Sequence, residues 1–282
     1  MKILTFDIEE WFHILDNNST KKESDWLKYE IRIHQNVDRI LYLLEKNNQK
    51  ASFFIVGWIA EKYPEVVKKI SDYGYEIGSH TYYHQLMYEQ KRDEVKLDLK
   101  KSIDILQQLT GEKVTSFRAP GFSITEKNKW VFDELIKNGI KNDCSVFPAG
   151  RAHGGFPSYK NAIPSLICSN GVNLKEFPIN TVPFFGQKII FSGGGYFRLT
   201  PYSLIKYFTN HSEYVMTYFH PRDFDFLQPV IKELTVFRKF KSYVGLKTSL
   251  KKLETWLNDY NFTDLISADK NIDWSTVPKI KI

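Results

Sequence analysis

His80 and His84 stand four residues apart in the stretch EIGSHTYYHQLMY, behind a Gly-Ser pair. On a helix, that spacing would put both imidazoles on one face. Two imidazoles and a carboxylate are a ligand set for a catalytic divalent metal, with one position left for water. TFDIEEW offers the carboxylate: Asp7 and Glu9 lie two residues apart at the end of an apolar run, so on a strand they point to the same side. One of them can bind metal while the other takes a proton. The histidine pair alone is a weak signal. Joined to an acidic strand end and the late His220, it is a much stronger one.

These residues need elements to hold them. KILTFD, ASFFIVG, YEIGSH, TSFRAPG and YVMTYFHP read as strands. VDRILYLLEKNN, EKYPEVVKKISDYG, RDEVKLDLKKSIDILQQLTG, EKNKWVFDELIKNG and PYSLIKYFTN read as helices, and glycines close them where a C-cap requires one. Repeated β-then-α order predicts an α/β fold with a parallel sheet, open or closed into a barrel. Asp7 and Glu9 end the first strand, His80 ends a later one, and Arg118, Asp143 and His220 each follow an apolar run. Groups at the C-terminal ends of parallel strands form one site on one face.

The 282 residues read as a single catalytic domain, 1–282, with an irregular Gly-, Pro- and aromatic-rich insertion around 150–200 and a helical C-terminal region around 226–260. Hydrophobic residues at 42% and charged residues at 26% exclude a disordered chain. The net charge of +6 favours an anionic partner such as a phosphorylated substrate or a membrane surface, without the concentrated patch that nucleic-acid binding needs. No apolar run reaches the roughly 18 residues of a membrane span, which leaves peripheral membrane contact. Acids arrive at Asp7, Glu9 and Glu10, too early for a signal peptide, and the expected location is cytoplasmic. Cys144 and Cys168 are far apart with no CxxC spacing, so free thiols are expected.

TFDIE, SHTYYH, FRAPG, DCSVFP and YFHP occur in the order and approximate spacing of the polysaccharide deacetylases with a NodB-type domain, carbohydrate esterase family 4. The chain resembles that family over roughly residues 1–260. GGGYFRL, YFHPRDFD and YVGLKTSLKKLETWL resemble a subgroup tied to exopolysaccharide or surface-glycan gene clusters. The resemblance implies a distorted (β/α) barrel of the NodB deacetylase type and metal-dependent removal of an acetyl group. It implies Asp7 as catalytic base, His80 and His84 as metal ligands, Arg118 as the partner that orients the base, and His220 as general acid. Asp143 falls where the fourth motif contributes an acid, to steady His220 or line the groove. The commonest first motif has adjacent aspartates, whereas Ile8 here separates Asp7 from Glu9; the acid-x-acid version makes Glu9 the third ligand. The implied cofactor is one divalent metal, zinc foremost, with cobalt, nickel or manganese as alternatives.

The residue types suit this chemistry. An acetamide is a poor electrophile and water a poor nucleophile at neutral pH; a metal polarises the one and lowers the pKa of the other to about 7. Asp7 takes a proton as water attacks, a backbone N–H near Gly121 or Phe122 assists the oxyanion, and His220 protonates the leaving amine. Acid and base are expected on opposite sides of the reacting carbon. Trp11, Phe12, Phe122 and Tyr196 either stack on sugar rings or pack in the core. His13 and His153 either touch substrate or are ordinary surface or core histidines. The expected substrate is an N-acetylated sugar, nucleotide sugar or lipid-linked glycan, in surface polysaccharide biosynthesis. A cyclic amidase of the allantoinase kind on the same scaffold, and a glycan-binding protein without catalysis, are the competing readings.

Overall fold

The computed structural model describes residues 1–282 except Asp16, Asn18, Arg151 and Ala152. Its strands are β1 (Lys2–Ile3), β2 (Thr5–Ile8), β3 (Ser52–Ile55), β4 (Glu76–Ser79), β5 (Ser116–Phe117), β6 (Asn142–Asp143), β7 (Ser165–Ser169), β8 (Val172–Glu176), β9 (Val182–Phe184), β10 (Gln187–Ile189), β11 (Val215–Met216) and β12 (Lys279–Lys281). The α-helices are α1 (Glu23–Trp26), α2 (Ile33–Lys46), α3 (Gly57–Lys62), α4 (Pro64–Asp72), α5 (Arg92–Thr110), α6 (Trp130–Lys137), α7 (Gly194–Leu199), α8 (Tyr202–Asn210), α9 (Val236–Tyr243), α10 (Leu246–Asp259) and α11 (Leu265–Asn271).

Strands β2 to β6 are parallel neighbours in chain order, within an eight-stranded sheet ordered β12-β7-β8-β6-β5-β4-β3-β2. Every residue of β2 and β3 is buried, as continuous apolar strands covered on both faces must be. On α2, Ile33, Val37, Ile40, Leu41 and Leu44 are buried, the inward stripe of an amphipathic helix. The glycines after α4, α5 and α6 (Gly74, Gly111 and Gly139) all have positive φ, as helix-terminating residues should.

The sheet curls towards closure. β1 pairs in parallel with β11, and the ladder continues through Phe6–Phe219 and Gly193–Tyr218 bridges. Side chains help to join this edge to the segment after β8: Met216 N–H donates to Asn180 Oδ1 at 3.0 Å, and Ser192 Oγ donates to the Met216 carbonyl at 2.8 Å. The result is the expected distorted (β/α) barrel.

Two expectations change. EKYPEVVKKISDYG is two helices, because Pro64 opens α4 at its first turn and α3 ends just before it. The segment 150–200 is not simply an irregular insertion: β7 and β8 form an antiparallel hairpin inside the main sheet, and β9 and β10 form a second one. The first hairpin turns at Asn170-Gly171, both at positive φ, the sequence signal for a two-residue turn. Cys144 and Cys168 are free.

Candidate active site

The C-terminal ends of β2, β4 and β5 and the segment after β11 converge. Glu9, His80 and His84, all buried, present ligand atoms within 4.8 Å of one another. His80 Nδ1 lies 2.7 Å from the Arg118 carbonyl oxygen, so that nitrogen donates and Nε2 keeps its lone pair for a metal. His84 Nε2 is 2.5 Å from Glu9 Oε2. Burial, outweighing Asp7 and Glu9, lowers the His80 imidazole to about 4, so it is neutral as a ligand must be. Burial would raise Glu9, but the imidazoles of His84, His220 and His80 hold it well below the ordinary carboxylate range. Two imidazoles and a carboxylate fit a divalent ion of the zinc type.

The histidines do not lie on a helix. Residues 80–86 form a loop, with Thr81 (φ 63°) and His84 (φ 51°) in the left-handed region. Such a conformation costs an L-residue about 1–2 kcal/mol. Other contacts must hold it. His84 N–H donates to Thr81 Oγ1 at 3.1 Å. Buried Asp98 on α5 accepts from the N–H groups of Tyr82 and Tyr83 at 2.7 and 3.0 Å. No motif in the sequence marked Asp98.

Arg118, fully buried, donates from Nη1 to Asp7 Oδ1 at 2.7 Å and to Thr5 Oγ1 at 2.8 Å. Its guanidinium lies 4.4 Å above the Phe54 ring. His220 Nε2 faces Asp7 Oδ2 and Glu9 Oε1, each at 3.9 Å. Asp223 holds the other side of that ring, with Oδ2 3.0 Å from His220 Nδ1 and 2.9 Å from its backbone N–H, which donates. Arg198 Nε lies 3.5 Å from Asp223 Oδ1. Burial alone would lower His220, but Glu9, Asp223 and Asp7 push it up to about 9.

GGGYFRL and PRDFD therefore serve the site through Arg198 and Asp223, neither of which was singled out in the sequence. Gly193 bridges to Tyr218 in parallel, and a side chain there would overlap the Tyr218 carbonyl. That close approach brings α7, and with it Arg198, against the chain that carries His220.

Asp143 does not steady His220. It is buried, accepts from Ser145 Oγ at 2.5 Å, and is the register partner of Glu176 across β6 and β8. Burial pushes both carboxyls up, and the Asp143 charge raises Glu176 further. Trp11 and Phe12 are core: the Trp11 indole N–H donates to the Glu30 carbonyl at 2.8 Å. Phe122 is buried against Phe147 and Tyr218, and its N–H donates to the Ala119 carbonyl at 3.1 Å, so it is not a free oxyanion donor. Of the suggested sugar-stacking residues only Tyr196, on α7, is exposed. Glu10 is buried. It accepts from the N–H groups of Arg32 and Ile33 at 2.7 and 2.8 Å, capping α2.

His13 is buried with its ring stacked 5.6 Å from His84, and burial holds it well below its ordinary pKa. It helps line a cleft of about 280 Å³ beside His84, together with Leu15, Lys21, Trp26, Tyr83 and Leu86. His153 lies 3.4 Å from Arg238.

Fold and site define a distorted (β/α) barrel with a carboxylate–histidine cluster at its strand ends. Residues 17–139 match the family model for polysaccharide deacetylase, and residues 144–269 match a domain of unknown function, DUF3473. The chain carries a polysaccharide deacetylase domain of the NodB type, carbohydrate esterase family 4. Over 97 residues it is 37% identical to a peptidoglycan-N-acetylglucosamine deacetylase of Bacillus cereus, covering 34% of this chain and 35% of that one. Over 126 residues it is 30% identical to a peptidoglycan deacetylase of Helicobacter pylori, covering 44% and 39%. It thus spans little more than a third of the length of these curated relatives.

A solved Mycobacterium smegmatis structure, assigned as a polysaccharide deacetylase, shares the fold with a TM-score of 0.67 at 16% identity, over 99% of this chain and 92% of that one. A family 4 pseudoenzyme from Bacillus anthracis does so at 0.51 and 15%, over 95% and 64%. The matched spans divide the site. Asp7 and Glu9 precede both, whereas Arg198, His220 and Asp223 lie in the stretch whose function is unknown.

Proposed function

We propose that this chain is a metal-dependent deacetylase that removes the N-acetyl group of an N-acetylated sugar or glycan precursor in surface polysaccharide biosynthesis. One observation carries the reading: His220 Nε2 faces both Asp7 and Glu9 at 3.9 Å, beside a buried Glu9–His80–His84 donor set. Acid, base and ligands meet at one point.

Glu9, His80 and His84 would hold the ion. When bound there, a divalent metal supplies Lewis acidity, polarising an acetyl carbonyl and easing deprotonation of water. Asp7, fixed by Arg118, accepts the proton lost by the attacking water. His220, fixed by Asp223, gives a proton to the departing amine. Asp7 Oδ2 and His220 Nε2 stand 3.9 Å apart, so the acetamide lies beside the line that joins them, with the attacking water at Asp7 and the leaving nitrogen at His220.

The relatives whose names specify a substrate act on peptidoglycan N-acetylglucosamine or N-acetylmuramic acid, which supports an N-acetylhexosamine as the reacting unit. The decisive experiment is acetate release from nucleotide sugars, lipid-linked glycans and polymeric N-acetylhexosamines, with allantoin as a cyclic-amide control. Each is run after chelation and after zinc, cobalt, nickel or manganese is restored. Acetate release from a sugar that vanishes on chelation and returns with metal supports the reading. Turnover of allantoin alone overturns it in favour of the cyclic amidase.

A further inference from the structure

Helix α9 faces solvent with its apolar side. None of its residues is buried, and Val236, Phe237 and Phe240 are 86%, 65% and 55% exposed. At 100° per residue these three side chains occupy one arc about 100° wide, bordered by Lys241 on one side and by Tyr243 and then Lys239 on the other. Lys241 Nζ lies 4.5 Å from the Phe237 ring centroid.

The polar side of α9 is turned to the protein. Arg238 Nη2 donates to the Leu15 carbonyl at 2.8 Å, and the carbonyls of Ser242 and Lys241 accept from Arg198 at 2.8 and 2.9 Å. Tyr243 OH accepts from Ile231 N–H at 2.9 Å, which places Val230, 55% exposed, next to the same helix. Residues 230–244 carry Lys232, Arg238, Lys239 and Lys241 against one acid, Glu233.

An amphipathic helix normally buries its apolar stripe. One that exposes it, with lysines on both borders, has the design of an interfacial helix. We propose that α9 is a docking surface for an anionic lipid bilayer: Val236, Phe237 and Phe240 enter the boundary between headgroups and acyl chains, and Lys239 and Lys241 pair with the headgroups. Charge complementarity selects this occupant. Leu15, which holds Arg238, also lines the cleft beside His84, so docking would bring the mouth of the site to the lipid surface.

The docking goes beyond the proposed reaction and is read without substrate. The full chain is sedimented with vesicles of phosphatidylcholine alone and of phosphatidylcholine mixed with phosphatidylglycerol. The expected result is binding to the mixed vesicles that weakens with salt, and little to the neutral ones. Phe237→Ser/Phe240→Ser should lower partitioning on the order of tenfold or more, and Lys239→Gln/Lys241→Gln about fivefold for each lysine removed. Melting temperatures near wild type confirm that the variants fold. Absence of wild-type binding to anionic vesicles, or equal binding by the phenylalanine variant, overturns the proposal. So does a wild-type dimer that dissociates in that variant, which would make a second copy the occupant, or loss of glycan binding with vesicle binding intact.

Discussion

Arg118 and Asp7 form a buried ion pair, Nη1 to Oδ1 at 2.7 Å, while the Arg118 carbonyl accepts from His80. One residue thus holds the candidate base by its side chain and a candidate metal ligand by its backbone. Arg118→Ala leaves the Asp7 carboxylate buried and unpaired, a loss of about 3–5 kcal/mol in urea unfolding. Arg118→Lys should recover part of that stability but little activity, because an ammonium cannot reproduce the planar group that holds Asp7 through Nη1 while Nε and Nη2 donate to the Cys144 and Thr217 carbonyls. Metal content should survive in Arg118→Lys, since the carbonyl is still present.

Asp7 and Glu9 should separate by experiment. Asp7→Asn is expected to keep the metal and lose roughly two to four orders of magnitude in turnover, the scale of a positioned general base. Glu9→Gln should chiefly weaken metal affinity, and His80→Ala/His84→Ala should abolish binding. Elemental analysis after dialysis, alongside acetate release, checks all three. Loss of metal in Asp7→Asn would mean that the two roles are exchanged or shared.

His220 should set the alkaline limb of kcat/KM. A general acid works protonated, so activity falls as pH rises through its pKa, which Glu9, Asp223 and Asp7 push up to about 9. A cation on Glu9 cancels part of that support, and the limb of the loaded protein should lie lower. Asp223→Asn removes another anion from the ring and should move the limb to still lower pH, a shift visible in a pH–rate profile. His220→Ala should impair amides far more than activated aryl acetates, whose leaving groups depart unprotonated. Equal losses on both substrates, with metal content normal, would remove His220 from the mechanism.

Asp98 should govern metal affinity without touching the metal. Its carboxylate holds the backbone of Tyr82 and Tyr83 between the two histidines. Asp98→Ala frees a loop that contains two residues in the left-handed region, and should weaken metal binding about 10–100-fold in chelator competition. Unchanged affinity would show that Thr81 and the strand end hold the loop unaided.

The β-then-α order, the strand-end position of Asp7, His80 and Arg118, and the candidate ligand set were legible in the chain, because apolar periodicity and residue type are local properties. Even there the histidine spacing suggested a helix, and the structure has a loop. What only the tertiary structure decided depends on residues distant in sequence. Asp223 holds His220 from three residues away, but the Arg198 that faces Asp223 arrives from α7 by way of the close Gly193–Tyr218 contact. Asp143 is instead matched to Glu176 by the register of β6 and β8. Trp11 looked as able to meet a sugar as Tyr196 did, until packing buried one and left the other exposed. On α9 the sequence suggested only a helical region; that Val236, Phe237 and Phe240 face solvent was set by where Arg238 and Arg198 found carbonyls. Periodicity says which residues share a face; only the assembled chain says what lies against it.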